Sequence, residues 1–140
     1  MTSKPLLRVV AAIIRNPENA FLITRRPAHA QLAGYWEFPG GTIEDGETDR
    51  QALVREIFEE LGVHIEIDGL YWQEVFDHEN KTVDITFFNC RLNPADQRLK
   101  TIGVAAYRWV PANQLHYYKF PEADKQLVEK LAGNKLSNSN

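Results

Sequence analysis

The sequence contains only one cysteine, Cys90, among its 140 residues. A single thiol cannot form an internal disulfide or a cysteine-rich metal site, so we expect Cys90 to be a small buried residue in a reducing compartment. The sequence also lacks any run close to the roughly 18 apolar residues that a membrane-spanning helix needs. A clean apolar run near the start, residues 9–14, is better explained by a strand than by a signal peptide. We therefore predict a cytoplasmic protein that does not bind a membrane.

The sequence has no surplus of basic residues. Lysine and arginine total 16 against 19 aspartate and glutamate residues, which gives a formal net charge of −3. Nucleic-acid-binding proteins normally carry a basic surplus, so we expect no stable nucleic-acid binding. Seven of the acidic residues fall between positions 44 and 60. Such a concentration favours a polyanionic ligand that binds together with its own cations.

Length and composition predict one globular domain. The chain is 44% hydrophobic and 25% charged, and it contains no internal repeat, low-complexity tract or interior linker. We predict a single domain over residues 1–140, with an ordered core at about 5–133 and a frayed polar tail from Asn134.

Strand-like apolar segments alternate with turn signals and helical segments. The first two strands flank a turn cluster at residues 16–19, which predicts a hairpin, and Gly40 and Gly41 are expected to break the chain. The predicted strands are residues 8–14, 20–24, 36–38, 63–67, 70–76, 82–92 and 107–110, and the predicted helical segments are 49–61, 111–115 and 121–131. Together they indicate an α/β fold with helices packed on a mixed sheet.

The central helix has clear end signals and two distinct faces. Thr48 and Gln51 form a capping-box pattern at its start, and Gly62 is a stop signal at its end. At about 100° per residue, its apolar side chains fall on one face, which we expect to be core, and its carboxylates on the other. The apolar residues are Leu53, Val54, Ile57, Phe58 and Leu61, and the carboxylates are Glu56, Glu59 and Glu60. Such a carboxylate band is either a solvated surface or a set of oxygen ligands for a divalent cation.

The residues around this helix match a known motif. From Gly41 the chain reads GTIEDGETDRQALVREIFEELGV, which has the pattern G-x5-E-x7-R-E-U-x-E-E-x-G-U, where U is aliphatic. This is the Nudix box, matched at every fixed position. Residues 24–26, 36–41 and 120–124 further resemble the MutT branch of the Nudix family. The resemblance covers about residues 8–131. It implies an α/β/α sandwich with a mixed sheet, and an enzyme that hydrolyses a nucleoside diphosphate linked to another group.

The resemblance gives the box carboxylates a metal-binding role. It implies that Glu56, Glu59, Glu60 and the Gly40 carbonyl hold Mg²⁺, with Mn²⁺ as a substitute. Mg²⁺ takes oxygen ligands and is commonly shared with substrate phosphates. The family places its water-activating base either on a box glutamate or on a later loop glutamate. Residues 101–107 contain no acid, so the expected base is Glu56 or Glu59.

Arg55 and Glu47 are implied to act beside these ligands. By resemblance, Arg55 is the box arginine, which pairs with carboxylates and orients them. Glu47 matches the first glutamate of the box. Its other interpretation is a favourable charge near the helix N-terminus. We include both among the predicted catalytic residues.

The resemblance also implies where the nucleotide binds. Arg26 corresponds to a phosphate-contacting arginine, and Gly41 lets the backbone approach the ligand closely. Thr42 stands where the family often has lysine, so a hydroxyl replaces one candidate phosphate contact. The base is expected in an apolar slot with a polar reader. The predicted slot residues are Phe38, Phe76 and Ile85, and the predicted reader is Asp124.

Asp124 leaves the identity of the base open. The best-known 8-oxo-dGTP specialists have asparagine here, whose amide donates to O6 and accepts from the N7–H that oxidation creates. An ionised aspartate only accepts, either from guanine N1–H and N2–H or from the cytosine N4 amine. A protonated aspartate imitates asparagine, but burial must raise its pKa for that.

Three functions are therefore compatible with the sequence. The leading hypothesis is a diphosphatase that converts 8-oxo-dGTP to the monophosphate and pyrophosphate, as a monomer or a homodimer. The alternative of the same class is a CTP or 5-methyl-dCTP pyrophosphatase. The alternative of another class is a non-catalytic module that recognises 8-oxoguanine, like the C-terminal domain of MutY adenine glycosylases. The complete box and the net charge of −3 weigh against that module.

Overall fold

The computed structural model describes residues 4–138, with side chains described for residues 4–133. Seven strands, two α-helices and one 3₁₀ turn occur within this range. The strands are β1 Leu6–Ile14, β2 Ala20–Arg25, β3 Trp36–Glu37, β4 Gly40–Thr42, β5 Ile65–Asp77, β6 Thr82–Leu92 and β7 Ala106–Pro111; the helices are α1 Asp49–Leu61 and α2 Glu122–Asn138, and the 3₁₀ turn is Ala112–Tyr117. None of the helices in the described range is long and apolar enough to cross a membrane.

The strands form two sheets with helices on both sides. The four-stranded sheet has the order β4-β1-β6-β5, and it is mixed because β1 runs parallel to β6 and the other pairs are antiparallel. The three-stranded sheet has the order β3-β2-β7 and is antiparallel. Successive side chains of a strand point to opposite faces, so β1 supplies two cores. Val10, Ala12 and Ile14 pack with α1, whereas Ala11 and Ile13 belong to the cluster that contains α2 residues. The predicted α/β/α sandwich is confirmed.

The central helix begins and ends as its sequence predicts. The Thr48 side chain accepts from the Gln51 N–H, the Gln51 side chain accepts from the Thr48 N–H, and Gly62 ends the helix at φ 68°. A segment of the loop before β7 completes the end of α1. The Lys100 N–H donates to the Leu61 carbonyl, and the N–H groups of Ile102 and Gly103 donate to the Glu60 carbonyl. The loop therefore fixes the last turn of α1, where Glu60 lies.

The predicted hairpin of the first two strands is wrong. Apart from one bridge between Arg15 and Phe21, the two strands belong to different sheets. β1 pairs with β6 along its whole length, and β2 pairs with β7 and β3. Gly40 and Gly41 form strand β4 against β1 instead of breaking the chain. The segments predicted as two strands at 63–67 and 70–76 form one long strand, β5, with irregularities near Gly69.

Two further expectations about the helices are corrected. Val54 is 40% exposed and Phe58 49% exposed, so neither belongs to the core. The buried arc of α1 instead reaches from Leu53 toward Ala52, because β1 and β4 lie against that edge of the helix. The final helix continues to Asn138, past the predicted tail start at Asn134, and residues 139–140 lie outside the described range. Cys90 is buried as predicted, and burial raises the pKa of its thiol to about 12.

Candidate active site

Arg55, on α1, connects the predicted catalytic residues. Its Nε and Nη2 donate to the two carboxylate oxygens of Glu47, at 2.6 and 2.9 Å. Its Nη1 donates to Glu56 Oε1 at 3.0 Å and to Glu59 Oε1 at 3.1 Å. The Thr42 carbonyl accepts from Nη2 at 3.1 Å. Hydrogen bonding to Arg55 lowers the pKa of Glu47 to about 2, so Glu47 stays ionised at neutral pH. One guanidinium thus holds both candidate bases and the first box glutamate together.

Two of the three box carboxylates face the protein rather than the solvent. The Glu56 side chain is 18% exposed, whereas that of Glu59 is 57% exposed. Glu60 Oε1 is buried and has no hydrogen-bond partner among the described residues. Burial, reinforced by the neighbouring Glu56 carboxylate, raises the pKa of Glu60. A solvated helix surface does not account for Glu56 and Glu60.

The glycines of β4 make room for these carboxylates. A Cβ atom on Gly41 would lie 2.3 Å from the carboxyl carbon of Glu56. A Cβ atom on Gly40 would lie 2.0 Å from the Val10 carbonyl oxygen. At Gly40 the obstacle is backbone, so glycine is required there for β4 to lie against β1, whereas a side chain at position 41 would have to displace the Glu56 carboxyl group.

The chemistry of this donor set fits a hard divalent cation. The candidate ligands are all oxygen atoms, from Glu56, Glu59, Glu60 and the Gly40 carbonyl. A buried carboxyl oxygen without a partner, next to a second carboxylate, is unfavourable unless a cation balances it. No group of three His, Cys, Asp or Glu side chains among residues 4–133 is arranged to hold a metal ion, and Arg55 binds oxygens of Glu56 and Glu59. The residues therefore fit a divalent cation by the type of their ligand atoms, and Glu60 Oε1 is the ligand atom that lacks a hydrogen-bond partner.

A cleft of about 740 Å³ connects β4 to the start of α2. This volume suits a small-molecule ligand. Gly40 and Gly41 line it, and so does Asp124. The apolar lining consists of Leu7, Val9, Val10, Ala11, Leu32, Phe38, Val83, Ile85, Phe120, Pro121 and Ala123. One cleft therefore contains the strand that adjoins the box carboxylates and the predicted base reader.

Five of the six residues predicted to bind substrate line this cleft. Arg26, Phe38, Gly41, Ile85 and Asp124 all line it. Phe38 is buried, and its ring stacks on Phe120 with centroids 5.5 Å apart. The structure does not bring Phe76 into the lining. Its side chain packs on the core instead, with its ring 6.4 Å from His78, which does line the cleft.

Asp124 lies in the first turn of α2 and is only 8% exposed. Its backbone N–H donates to the Pro121 carbonyl, but its carboxyl group makes no hydrogen bond with the described part of the chain. Burial raises the pKa of Asp124 to about 8, and the nearby charge of Glu37 adds to this effect. Burial therefore favours the neutral carboxyl group, which can both donate and accept.

Glu37 and Arg26 form an ion pair in the same cleft. Arg26 Nη1 lies 2.8 Å from Glu37 Oε1, and Arg26 Nε donates to the Gln31 carbonyl at 2.6 Å. Burial raises the pKa of Glu37 despite the opposing effect of Arg26. Sequence reasoning missed Glu37 as a site residue, although it lies between Trp36 and Phe38 in a segment that resembles the MutT branch. It also missed Leu7 and Val9 of β1, which line the cleft. The signal that could have found them is the alternation of side chains along β1, the strand that pairs with β4.

The chain is similar to a family model and to several known proteins. A family model described as NUDIX domain matches residues 10–130. The chain is 40% identical over 125 residues to an 8-oxo-dGTP diphosphatase of Escherichia coli (strain K12), which covers 89% of this chain and 95% of that protein. It is 52% identical over 58 residues to a CTP pyrophosphohydrolase of the same organism, which covers 41% of this chain and 42% of that protein. Among solved structures, a MutT protein from Methanosarcina mazei Go1 is similar with a TM-score of 0.83 and 25% identity, over 96% of this chain and 99% of the other.

Proposed function

This chain belongs to the Nudix family, and on that premise we propose that it is a nucleoside triphosphate diphosphatase that converts 8-oxo-dGTP to 8-oxo-dGMP and pyrophosphate. The family and the 8-oxo-dGTP diphosphatase relatives support hydrolysis of a nucleoside triphosphate. The choice of base needs an observation on this chain itself.

That observation is the buried side chain of Asp124 in the cleft lining. It lines the cleft beside an apolar slot, and its pKa is raised to about 8. In the neutral form that burial favours, one oxygen donates and the other accepts. It can therefore donate to O6 and accept from the N7–H of 8-oxoguanine, as an asparagine would. An ionised aspartate offers only acceptors and suits the amine of cytosine better.

The box residues would supply the reaction centre next to the cleft, beside the β4 glycines that line it. We propose that Glu56, Glu59, Glu60 and the Gly40 carbonyl hold Mg²⁺, with Mn²⁺ as a substitute. The cation would screen the phosphate charges and activate water when bound. Glu56 or Glu59 accepts the proton of the attacking water as its oxygen bonds to the β-phosphorus. The bond from that phosphorus to the oxygen of the α-phosphate then breaks, which releases the nucleoside monophosphate and pyrophosphate.

Arg55, Glu47 and Arg26 have supporting roles in this proposal. Arg55 holds Glu56 and Glu59 in place, and Glu47 anchors Arg55 with two hydrogen bonds. Arg26 lines the cleft and provides a cation for the nucleotide phosphates. We further propose a cytoplasmic monomer or homodimer that binds free nucleotides and forms no stable complex with nucleic acid.

Steady-state kinetics over a nucleotide panel test the proposed substrate. We expect kcat/KM for 8-oxo-dGTP to exceed that for dGTP by at least about tenfold, since one base hydrogen bond in a site built for it contributes at least that much. Products are identified by chromatography as monophosphate and pyrophosphate. Equal kcat/KM for the two nucleotides would rule out the 8-oxo-dGTP assignment.

The CTP alternative is tested in the same panel. The 52% identity to a CTP pyrophosphohydrolase over 58 residues is the observation that favours it. If CTP or 5-methyl-dCTP has the highest kcat/KM at pH 7, Asp124 reads the base as an ionised acceptor, and the pyrophosphatase assignment replaces the first one.

A further inference from the structure

A second cavity lies at the other end of β1 from the cleft. Its volume is about 460 Å³, and it begins at residues 15–17, directly after β1, whereas the cleft takes its β1 residues from positions between 7 and 11. The rest of its lining comes from the end of β6, the loop that follows and β7. No described residue lines both cavities. The second cavity therefore has the size of a small-molecule site, and the proposed reaction does not use it.

The walls of the second cavity are anchored on the protein. Leu92, Leu99 and Trp109 line it and pack against the core cluster beside α1. Gln97 ties the loop wall to the segment just after α1. Its Oε1 accepts from the His64 N–H, and its Nε2 donates to the His64 carbonyl, both at 2.8 Å. The cavity is therefore preformed, so a ligand would bind with little ordering of the protein.

The side-chain acceptors of this lining are already used. Asn16 Oδ1 accepts from the backbone N–H groups of Glu18 and Ala20, at 3.1 and 2.9 Å. Gln97 Oε1 is taken by the His64 N–H. None of the described residues that line the cavity is aspartate or glutamate. The amide nitrogen of Asn16 forms no hydrogen bond with the described residues, so this side chain offers a ligand only a donor.

The cations and the indole of the lining are donors as well. Arg91 is paired with Asp68 outside the lining. Arg15 forms no ion pair with the described residues, and its guanidinium carbon lies 4.8 Å from the centroid of the Phe21 ring. The Trp109 indole N–H has no hydrogen-bond partner within residues 4–133. An arginine without a counter-ion, beside apolar walls and free N–H donors, is complementary to an anion with an apolar body.

We propose that the second cavity is a binding site for a small organic anion that consists of a flat apolar ring system and one carboxylate. The ring system lies against Leu92, Leu99 and Trp109, and the carboxylate binds the Arg15 guanidinium. A carboxylate only accepts hydrogen bonds, which matches a lining whose free side-chain groups only donate. An uncharged amide of the same shape lacks the charge, and its N–H group finds no free side-chain acceptor.

The test measures binding of 2-naphthoate, with 2-naphthamide as its uncharged analogue. Dissociation constants come from calorimetry, and ¹H–¹⁵N NMR of the full chain locates the bound probe. The Trp109 indole signal, assigned with Trp109→Phe, reports on the second cavity, and the amide signals of Ile85 and Asp124 report on the cleft. The variants are Arg15→Gln and its matched control Arg98→Gln. Arg98 is an exposed arginine of the loop after β6 that lies outside the lining.

We expect 2-naphthoate to shift the Trp109 indole signal saturably. Arg15→Gln should raise its dissociation constant by about tenfold, because a charge-assisted hydrogen bond is lost. 2-Naphthamide should bind the wild type at least about tenfold more weakly than 2-naphthoate for the same reason. Arg98→Gln removes the same charge without touching the cavity, so its dissociation constant should stay within about twofold of the wild-type value.

Three results would overturn the inference. One is a Trp109 signal that does not move at millimolar 2-naphthoate, or shifts confined to the cleft. Another is an equal loss of affinity in Arg15→Gln and Arg98→Gln, which would show attraction by overall charge alone. The third is equal affinity of the wild type for 2-naphthoate and 2-naphthamide. This last comparison needs no variant, so it decides the matter even if Arg15→Gln does not fold.

Discussion

The candidate site has two ends that use the same functional group in opposite ways. The box end is the set of box carboxylates beside Gly41, none of which lines the cleft, and the base end is the part of the cleft around Asp124. At the box end, Glu47, Glu56 and Glu59 share the Arg55 guanidinium, and hydrogen bonding to it keeps Glu47 ionised. At the base end, Asp124 is buried without a hydrogen-bond partner in the described chain, and its pKa rises to about 8. Carboxylates at the first end are arranged to carry negative charge toward cations. The carboxyl at the second end is kept neutral.

This difference shows that position, rather than residue type, decides what an acidic side chain does here. An arginine within hydrogen-bond reach stabilises the charged form, whereas burial beside other carboxylates stabilises the neutral form. Glu60 lies between these cases, since it is half-buried with a buried Oε1 and also adjoins the Glu56 carboxylate. A neutral Glu60 suits the metal-free chain, and a bound cation would favour its ionised form.

The largest effect is expected from loss of charge at the box end. Glu56→Gln and Glu59→Gln keep the side-chain shape but remove a negative charge from the proposed metal ligands. We expect each to lower kcat by about a hundredfold or more, measured as pyrophosphate release at saturating Mg²⁺. The control is Glu129→Gln, which removes an exposed carboxylate on α2 that lies outside the cleft lining. Near-normal turnover in both box variants would contradict the metal-binding role and remove the contrast between the two ends.

A smaller effect is expected when the box end is displaced but keeps its charge. The Cβ of Gly41→Ala would lie 2.3 Å from the Glu56 carboxyl carbon, and this flexible side-chain end can move away. We expect a folded protein whose kcat is lower by about tenfold, because Glu56 is misplaced. Gly69→Ala is the matched control, since a Cβ there meets no atom within 4 Å. Equal activity of the two variants would show that the position of Glu56 is not critical.

At the base end we expect an effect on stability rather than on turnover. The pKa of Asp124 is raised to about 8 in the folded state, so its neutral form contributes stability fully below pH about 4, and this contribution is lost as the pH rises toward 8. Asp124→Asn cannot ionise. Its melting temperature relative to the wild type should therefore increase from pH 5 to pH 9, measured by circular dichroism. The same difference at both pH values would show that Asp124 is not held neutral in the folded protein.

The local features of this protein were predictable from its sequence. The caps of α1 follow from Thr48, Gln51 and Gly62, and β6 from the β-branched and aromatic residues of 82–92. The box spacing also placed Arg55 near the glutamates, since residues four apart share a helix face. These predictions succeeded because they depend on contacts within a few residues along the chain.

The failed predictions all concern contacts between distant segments. The hairpin was wrong because β1 finds its partner in β6, about seventy residues later, rather than in β2. Val54 and Phe58 were misplaced because the position of β1 and β4, and not the helix pattern alone, decides which edge of α1 is buried. Phe76 is a separate case, because it lies opposite Val83 of the cleft lining but packs on the core cluster outside that lining, so its role in substrate binding stays a prediction.

The sequence by itself determined the family, the central helix and the carboxylates that form one end of the site. Only the tertiary structure decided that Glu37 joins Arg26 and Asp124 in one cleft, since Asp124 lies on a helix far along the chain from the strand and loop that carry the other two. It also decided the charge of Asp124. The pKa of a carboxyl group depends on the water and the charges around it, and these are set by folding.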